Sequence, residues 1–489
     1  MKRIVIIGGG ITGLAAAHRL LERSAELTRP IEILLLEATS RLGGVIHTES
    51  RAGFLLERGP DSFISEKPEA INLARRLGID SHLIETNKEN RRSFIVRKGR
   101  LRAVPEGFQL LAPSKLWPFI TSDIFSLGGK ARMAADLLLP RRRVNGNDDE
   151  SLAHFVRRRL GSEALARMAQ PMVGGIYTAD PEKLSLRATF PRFLDMETSH
   201  RSIILALIKG SVGSGTSGAR YSLFLSFDRG MQVLVDALEK RFLDSQLPVA
   251  DLQTSCAART NTTVDSLTLD RSANGLFWKL KAGNEEIAAD AVCLALPTHA
   301  SAKLLNDVAP GLASELDAIS YASTATINLA YRREDIPHRL DGFGFVVPYI
   351  EKRSLLACSF SSIKFSGRAP NDCVLLRAFV GGALQPEMFF LQDSQMVARV
   401  RSDLHDLIGV EKAPMFAEVS RWARSMPQYE IGHLGRVQRI EDELQRLRGL
   451  RVAGNAFSGA GIPDCIRSGE TVANELIESL IIDSAGNLK

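Results

Sequence analysis

Residues 1–44 constrain the fold of this chain more than any other part of it. An apolar strand, Lys2-Arg3-Ile4-Val5-Ile6-Ile7, runs into Gly8-Gly9-Gly10-Ile11-Thr12-Gly13; a helical stretch with Ala15-Ala16-Ala17 follows, and a second apolar run over residues 31–36 ends at Glu37. In such a unit the glycines let backbone approach a diphosphate, the helix start supplies N–H donors, and the carboxylate takes ribose hydroxyls. Arg41-Leu42-Gly43-Gly44, four residues past Glu37, adds a second place where a side chain would obstruct close approach. The segment predicts an α/β dinucleotide-binding unit with a flavin-type extension.

At 489 residues and 45% hydrophobic content the chain has room for two large domains or three average ones. It begins directly in a strand, without the charged region, apolar stretch and cleavage site of a secretory signal, which predicts an intracellular, cytoplasmic protein. Five cysteines stand far apart with no C-x-x-C pair, so we expect reduced thiols and no zinc. Nine histidines without ligand spacing predict no metal site. No stretch approaches the ~20 apolar residues of a membrane span.

The net charge is +6, and residues 88–160 hold 16 Lys and Arg against 7 Asp and Glu. That local excess fits a polycarboxylate substrate, an anionic lipid surface or simply a solvated basic face. Nucleic acid is excluded as a partner, because aromatics are only 6% of the chain and are not interleaved with the arginines.

Periodicity divides the chain into three parts. Residues 1–86, 221–300 and 430–489 carry the strand and glycine-turn grammar of one discontinuous nucleotide domain. Residues 87–220 read as mainly helical, with helices expected over 116–125, 129–139 and 151–160, the last capped by Ser151. A Gly- and Ser-rich run over 209–220 reads as a loop. Residues 301–429 contain the β-rich runs 324–331, 344–347 and 374–380 of a mixed domain. Near the C-terminus a strand over 450–453 precedes a glycine-rich turn and a long helix over 462–482, with Pro463 in its first turn.

The residues that carry chemistry cluster around the cofactor. Glu57-Arg58-Gly59-Pro60-Asp61-Ser62 is a turn whose amides and hydroxyls suit a flavin edge or diphosphate. The helix start at Gly461-Ile462-Pro463 would place partial positive charge beside a reduced flavin. Cys465 in that first turn reads as a packed thiol. No G-x-S-x-G or Cys/His nucleophile arrangement is present, so the chemistry belongs to a cofactor.

Taken together the motifs resemble the protoporphyrinogen/coproporphyrinogen oxidase family of the flavin amine oxidase superfamily, most closely its soluble type from monoderm bacteria. Besides the flavin motifs the resemblance rests on ERGPDSF at 57–63, FSLGGKAR at 125–132, IYTADPEKLSLRATFP at 176–191, SRWARSMPQ at 420–428 with Gly432-His433, and GAGIPDCI at 459–466. It implies an α/β fold: a discontinuous Rossmann-like FAD-binding domain, a mixed α+β substrate domain over 301–429 and a mainly helical inserted domain. It also implies noncovalent FAD and the oxidation of a porphyrinogen to a porphyrin, each two-electron step passing hydride to flavin N5. Dioxygen then reoxidises the flavin and leaves hydrogen peroxide. An amine or carotenoid oxidoreductase on the same fold is the enzymatic alternative, and a flavin-carrying haem-trafficking module the non-enzymatic one.

Carried over by position, the FAD contacts are Gly8, Gly9, Gly10, Ile11, Thr12, Gly13, Glu37, Ala38, Gly44, Val45, Gly59, Pro60, Asp61, Ser62, Val264, Trp422, Gly461, Ile462 and Pro463. On the substrate side the resemblance implies Lys67. Eukaryotic members bind a substrate carboxylate with an arginine on the strand that begins here at Ser93, so the neighbouring Arg92 and Arg97 are taken as candidates instead. Phe345, Phe360 and Phe365 are expected as an apolar wall for a flat macrocycle. Peripheral membrane contact, and hand-over of product to the next haem-pathway enzyme, are left open by the basic segment.

Overall fold

The computed structural model describes residues 1–24, 26, 30–142, 149–210, 224–244, 254–272 and 275–486. Five parallel strands form the nucleotide-domain sheet in the order Ser255–Arg259, Ile31–Leu36, Lys2–Ile7, Ala291–Leu294, Leu450–Val452. Their near-continuous apolar sequences suit a parallel sheet covered on both faces. On one face Ile4, Ile6, Ile33 and Leu35 pack with the helices Ile11–Ser24 and Ile462–Gly486; on the other Val5, Ile7, Leu34 and Leu36 pack with the three-stranded sheet of residues 266–289.

A second sheet of seven strands runs Phe416–Pro427, Tyr321–Arg332, Cys373–Gly381, Ala357–Phe360, Gly344–Val346, Phe94–Arg97, Arg100–Ala103. One face buries Ile327, Leu329, Phe345, Phe360 and Leu376 against Met396, Val400 and Leu404 of the helix Asp393–Ile408. The opposite face carries Thr326, Asn328 and Arg377 toward residues 57–62, which sets one domain against the cofactor motif of the other.

The helical reading of residues 87–202 needs one correction. Phe94–Arg97 and Arg100–Ala103 are strands, and Phe94 pairs with Phe345 in the second sheet. A four-residue apolar run has no helical or strand period of its own, and its partner lies about 250 residues away, so local pattern could not place it. The expected helices form as Leu116–Thr121, Leu127–Ala134 and Leu152–Arg159, the last with the Ser151 hydroxyl accepting from His154 N. Residues 211–220 of the Gly/Ser-rich run lie outside the described residues.

Part of the basic excess of residues 88–160 is paired inside the fold. Arg158 bridges Glu150 and Glu197 at 2.8 and 2.6 Å, Arg157 pairs with Glu182, and Arg159 reaches Asp136 at 2.7 Å. The Arg132 guanidinium donates to the carbonyls of Arg157, Arg158 and Arg159, ending that helix. Glu182 and Glu197 lie outside the basic stretch in sequence, so a count of charge along the chain overstates the field.

Candidate cofactor site

The glycine turn closes against the end of the second strand. Gly8 N donates to Leu36 O at 2.8 Å, and Gly43 N donates to Gly9 O at 2.8 Å, joining the two expected glycine segments. Glu37 is fixed at this junction: one carboxylate oxygen accepts from Gly9 N at 2.7 Å, the other from Thr39 N and Oγ1 at 2.8 and 2.7 Å. The Arg41 guanidinium donates to the carbonyls of Leu42 and Ile46 at 3.0 and 2.9 Å, a role the sequence did not signal.

Two glycines of the motif differ in kind. A Cβ on Gly13 would stand 1.9 Å from Gly8 O, so helix and turn require a bare backbone there. A Cβ on Gly10 would meet nothing within 4 Å. That open cradle at the head of the helix is the space a diphosphate needs, and with Glu37 held beside it the residues present fit FAD.

More distant segments converge on this place. A Cβ on Gly59 would stand 1.7 Å from Val45 O, so Gly44-Val45 and Gly59-Pro60 lie in contact. The second sheet then grips the 57–62 segment residue by residue. Asn328 Nδ2 donates to Glu57 O at 3.0 Å, Thr326 Oγ1 and Trp422 Nε1 donate to Arg58 O at 2.8 and 2.9 Å, and Arg377 donates to Gly59 O. Lys364 Nζ lies 3.1 Å from the Asp61 carboxylate and 3.1 Å from Ser62 Oγ. Burial alone would raise the Asp61 carboxyl, but the Lys364 ammonium and Arg377 guanidinium outweigh it and hold it well below the usual carboxylate range. Trp422 and residues 59–62 are thus brought together as expected. The clamp of Thr326, Asn328, Lys364 and Arg377 was missed, because single polar residues, three in strands and Lys364 at the end of the short helix Ser361–Lys364, carry no motif.

The C-terminal helix reaches the same site. A Cβ on Gly469 would stand 2.3 Å from Thr12 O, so the helix Ile462–Gly486 lies tightly on the first helix and carries Gly461, Ile462 and Pro463 to the glycine turn. Burial pushes the Cys465 thiol up to about 12, that of a packed and unreactive group. Val264 is buried with Val5, Ile7 and Leu36, and Thr262 N donates to Glu37 O at 2.8 Å, which sets this segment beside Glu37. Ala38 follows Glu37 on the exposed rim.

The substrate candidates separate. Lys67 Nζ lies 2.6 Å from the buried Asp464 carboxylate in the first turn of the C-terminal helix, with its side chain still 42% exposed. Arg92 pairs with Asp341. Arg97 Nε has no hydrogen-bond partner among the described residues. The phenylalanines correct the expectation of an apolar wall. Phe345 and Phe360 lie in the core between sheet and helix, on the face turned away from residues 57–62, because strand alternation sends them there. Phe365 is 1% exposed and sits beneath Lys364 and Arg368, 5.0 and 5.5 Å from its ring. Instead Gly175, at the end of the helix Gln170–Tyr177, approaches Val346 of the second sheet, with Ile176 exposed beside it.

Glu57 supplies a pH-dependent test of this interface. Burial pushes its carboxyl up to about 7, against hydrogen bonds from Met231 N and Thr48 Oγ1 and the charges of Arg368 and Arg377. A folded-state value above the ordinary 4.5 means that Glu57 favours folding below 4.5 and that this contribution is lost as pH rises through 7. The melting temperature of the wild type should therefore fall relative to that of Glu57→Gln between about pH 5 and about pH 8; a difference that does not vary with pH would overturn the assignment.

Among the described residues no group of three His, Cys, Asp or Glu side chains could hold a metal ion, and no helix is long and apolar enough to cross a membrane. Residues 11–477 match the family model for flavin containing amine oxidoreductase. The chain is 35% identical to the coproporphyrinogen III oxidase of Bacillus subtilis over 98% of both proteins, and 33% identical to that of Propionibacterium freudenreichii over 98% of this chain and 91% of the relative. It superposes on the crystal structure of a protein from Exiguobacterium sp. 255-15 with a TM-score of 0.82 and 30% identity, covering 97% of this chain and 98% of the other. On this match along nearly its whole length, the chain belongs to the flavin containing amine oxidoreductase family, among its protoporphyrinogen/coproporphyrinogen oxidases, with FAD as its cofactor.

Proposed function

We propose that this protein is an oxygen-dependent porphyrinogen oxidase of haem biosynthesis, with coproporphyrinogen III as the preferred substrate and protoporphyrinogen IX as the alternative. The full-length kinship with the Bacillus enzyme carries the reading. FAD supplies the redox chemistry by accepting hydride from the macrocycle, and dioxygen takes the electrons on as hydrogen peroxide. The chain's own residues position and bind. Gly8–Gly13 and Glu37 hold the diphosphate and ribose; Gly44, Val45, residues 59–62, Trp422 and Gly461–Pro463 surround the flavin, and Ala38 and Val264 the adenosine end. FAD is held noncovalently, as the buried Cys465 thiol supports.

Lys67, Arg92 and Arg97 are the groups proposed for substrate propionates, since cations suit carboxylates and the Lys67 side chain is 42% exposed. Residues 1–86, 221–300 and 430–489 are proposed as the FAD-binding domain, residues 87–220 as a helical insert and residues 301–429 as the substrate domain. The protein acts in the cytoplasm, and its helical part touches membranes peripherally. The exposed Leu116, Trp117, Ile120 and Leu127, flanked by Lys115 and Lys130, support that contact. The same face would serve hand-over of a flat, poorly soluble product to the next enzyme.

The test is porphyrin fluorescence under air with each porphyrinogen, hydrogen peroxide being followed in parallel and sedimentation with anionic vesicles measured on the same protein. Growth of fluorescence with matching peroxide is expected, faster with coproporphyrinogen III. No fluorescence from either substrate would overturn the function, and protein left in the supernatant would overturn the membrane contact alone.

A further inference from the structure

Tyr429 stands where three segments meet, just past the strand Phe416–Pro427. Its ring is 1% exposed and stacks on His433 with centroids 4.2 Å apart and planes within 8°, while Tyr177 of the helical part packs at 5.9 Å. Its hydroxyl spans the glycine-rich turn that leads into the C-terminal helix: it donates to Asn455 O at 2.5 Å and accepts from Gly459 N at 2.8 Å. Its backbone carbonyl accepts from Ser185 N at 2.8 Å. Burial pushes the phenol up and the His433 imidazole down to about 4, so both rings are neutral and the hydroxyl keeps the proton it donates.

Other bonds also hold the turn: Asn455 Nδ2 donates to Ser425 O at 3.3 Å, and the His433 ring bonds the backbone of Ala456 and Phe457. Gly454 N donates to Ser468 Oγ at 3.0 Å and Arg467 donates to Ser458 O at 3.2 Å, both from the helix that the turn precedes. Gly459 adopts φ +132°, a conformation with no intrinsic preference for this turn over others. Among these groups Tyr429 bonds both ends of residues 455–459 with one hydroxyl, and the same ring touches Tyr177, at the end of the helix that carries Gly175 and Ile176.

We propose that Tyr429 is the positioning residue of the flavin site: its hydroxyl sets the turn 455–459, and thereby Gly461-Ile462-Pro463, against the cofactor, and its ring fixes the helix Gln170–Tyr177 to that turn. The inference rests on the reading of residues 461–463 as FAD contacts. Two buried hydrogen bonds are lost in Tyr429→Phe while shape and stacking remain, so FAD binding should weaken by about tenfold or more.

The experiment compares holoenzymes of wild type, Tyr429→Phe and Tyr331→Phe, the last removing a buried hydroxyl in the core of the second sheet. FAD retained through serial dilution and the visible circular dichroism of the bound flavin are read. Tyr429→Phe should lose FAD and alter the dichroism, whereas Tyr331→Phe should change melting temperature only. Wild-type retention and spectrum in Tyr429→Phe would overturn the proposal. Should that variant fail to fold, Tyr177→Leu, which leaves both Tyr429 hydroxyl bonds in place but removes the ring packed against it, decides by the same readout: a smaller loss supports the proposal and none overturns it. A wild type that binds no FAD would instead sink the underlying assignment of the site.

Discussion

Gly10→Val should purify folded and colourless. The structure leaves nothing within 4 Å of a Cβ at Gly10, and its backbone has no left-handed φ, so the substitution strains neither turn nor helix. Its methyls would fill the cradle where the diphosphate must approach the helix start, and the N–H donors there would lose their anion. Far-ultraviolet circular dichroism like that of the wild type, with no visible flavin absorbance, is the expected result; stoichiometric yellow cofactor would overturn the site. Gly13→Val provides the contrast. A Cβ there would stand 1.9 Å from Gly8 O, so this variant should lose soluble expression rather than the cofactor alone.

Arg159→Met should cost about 3–5 kcal/mol of stability, the typical penalty for leaving one member of a buried ion pair uncompensated. Asp136 and Arg159 are 0% and 1% exposed in their side chains. The guanidinium also donates to the carbonyls of Pro140 and Arg201 at 2.9 and 2.7 Å, while the carboxylate accepts from Ser202 Oγ and Ile204 N at 2.6 and 3.1 Å. This one pair therefore ties the chain before residue 143 to the helices Leu152–Arg159 and Ile203–Ile208. Pairing the substitution with Asp136→Leu should recover much of the loss, since an apolar pair of similar volume replaces buried charges at little cost. Denaturant midpoints of the single and double variants check both statements, and a single-variant loss below about 1 kcal/mol would refute the first.

These two sites show what local sequence carries and what it does not. Gly10 was legible because strand, glycine turn and helix are contiguous, and each has a period or residue type that forces its form. Arg159 was not: in Arg157-Arg158-Arg159 three identical residues face a surface glutamate, a paired carboxylate cluster and the core, and only helical phase against the rest of the fold distinguishes them. Phe345 and Phe360 failed for the related reason that alternation names two faces of a strand without saying which one meets the cofactor.

The sequence by itself determined the parallel nucleotide sheet, its glycine turn, the Glu37 carboxylate, the C-terminal helix start and, through motifs spread over the chain, the family. Those features are local, or are copied whole from relatives. The tertiary structure alone decided that residues 94–103 join the second sheet and that arginines of the basic segment pair with the distant Glu182, Glu197 and Asp341. It alone decided that Phe345 and Phe360 are core, and that Thr326, Asn328, Lys364 and Arg377 grip the 57–62 segment. Each of these depends on groups far apart in sequence meeting at hydrogen-bond distance, and no composition, period or spacing encodes such a meeting.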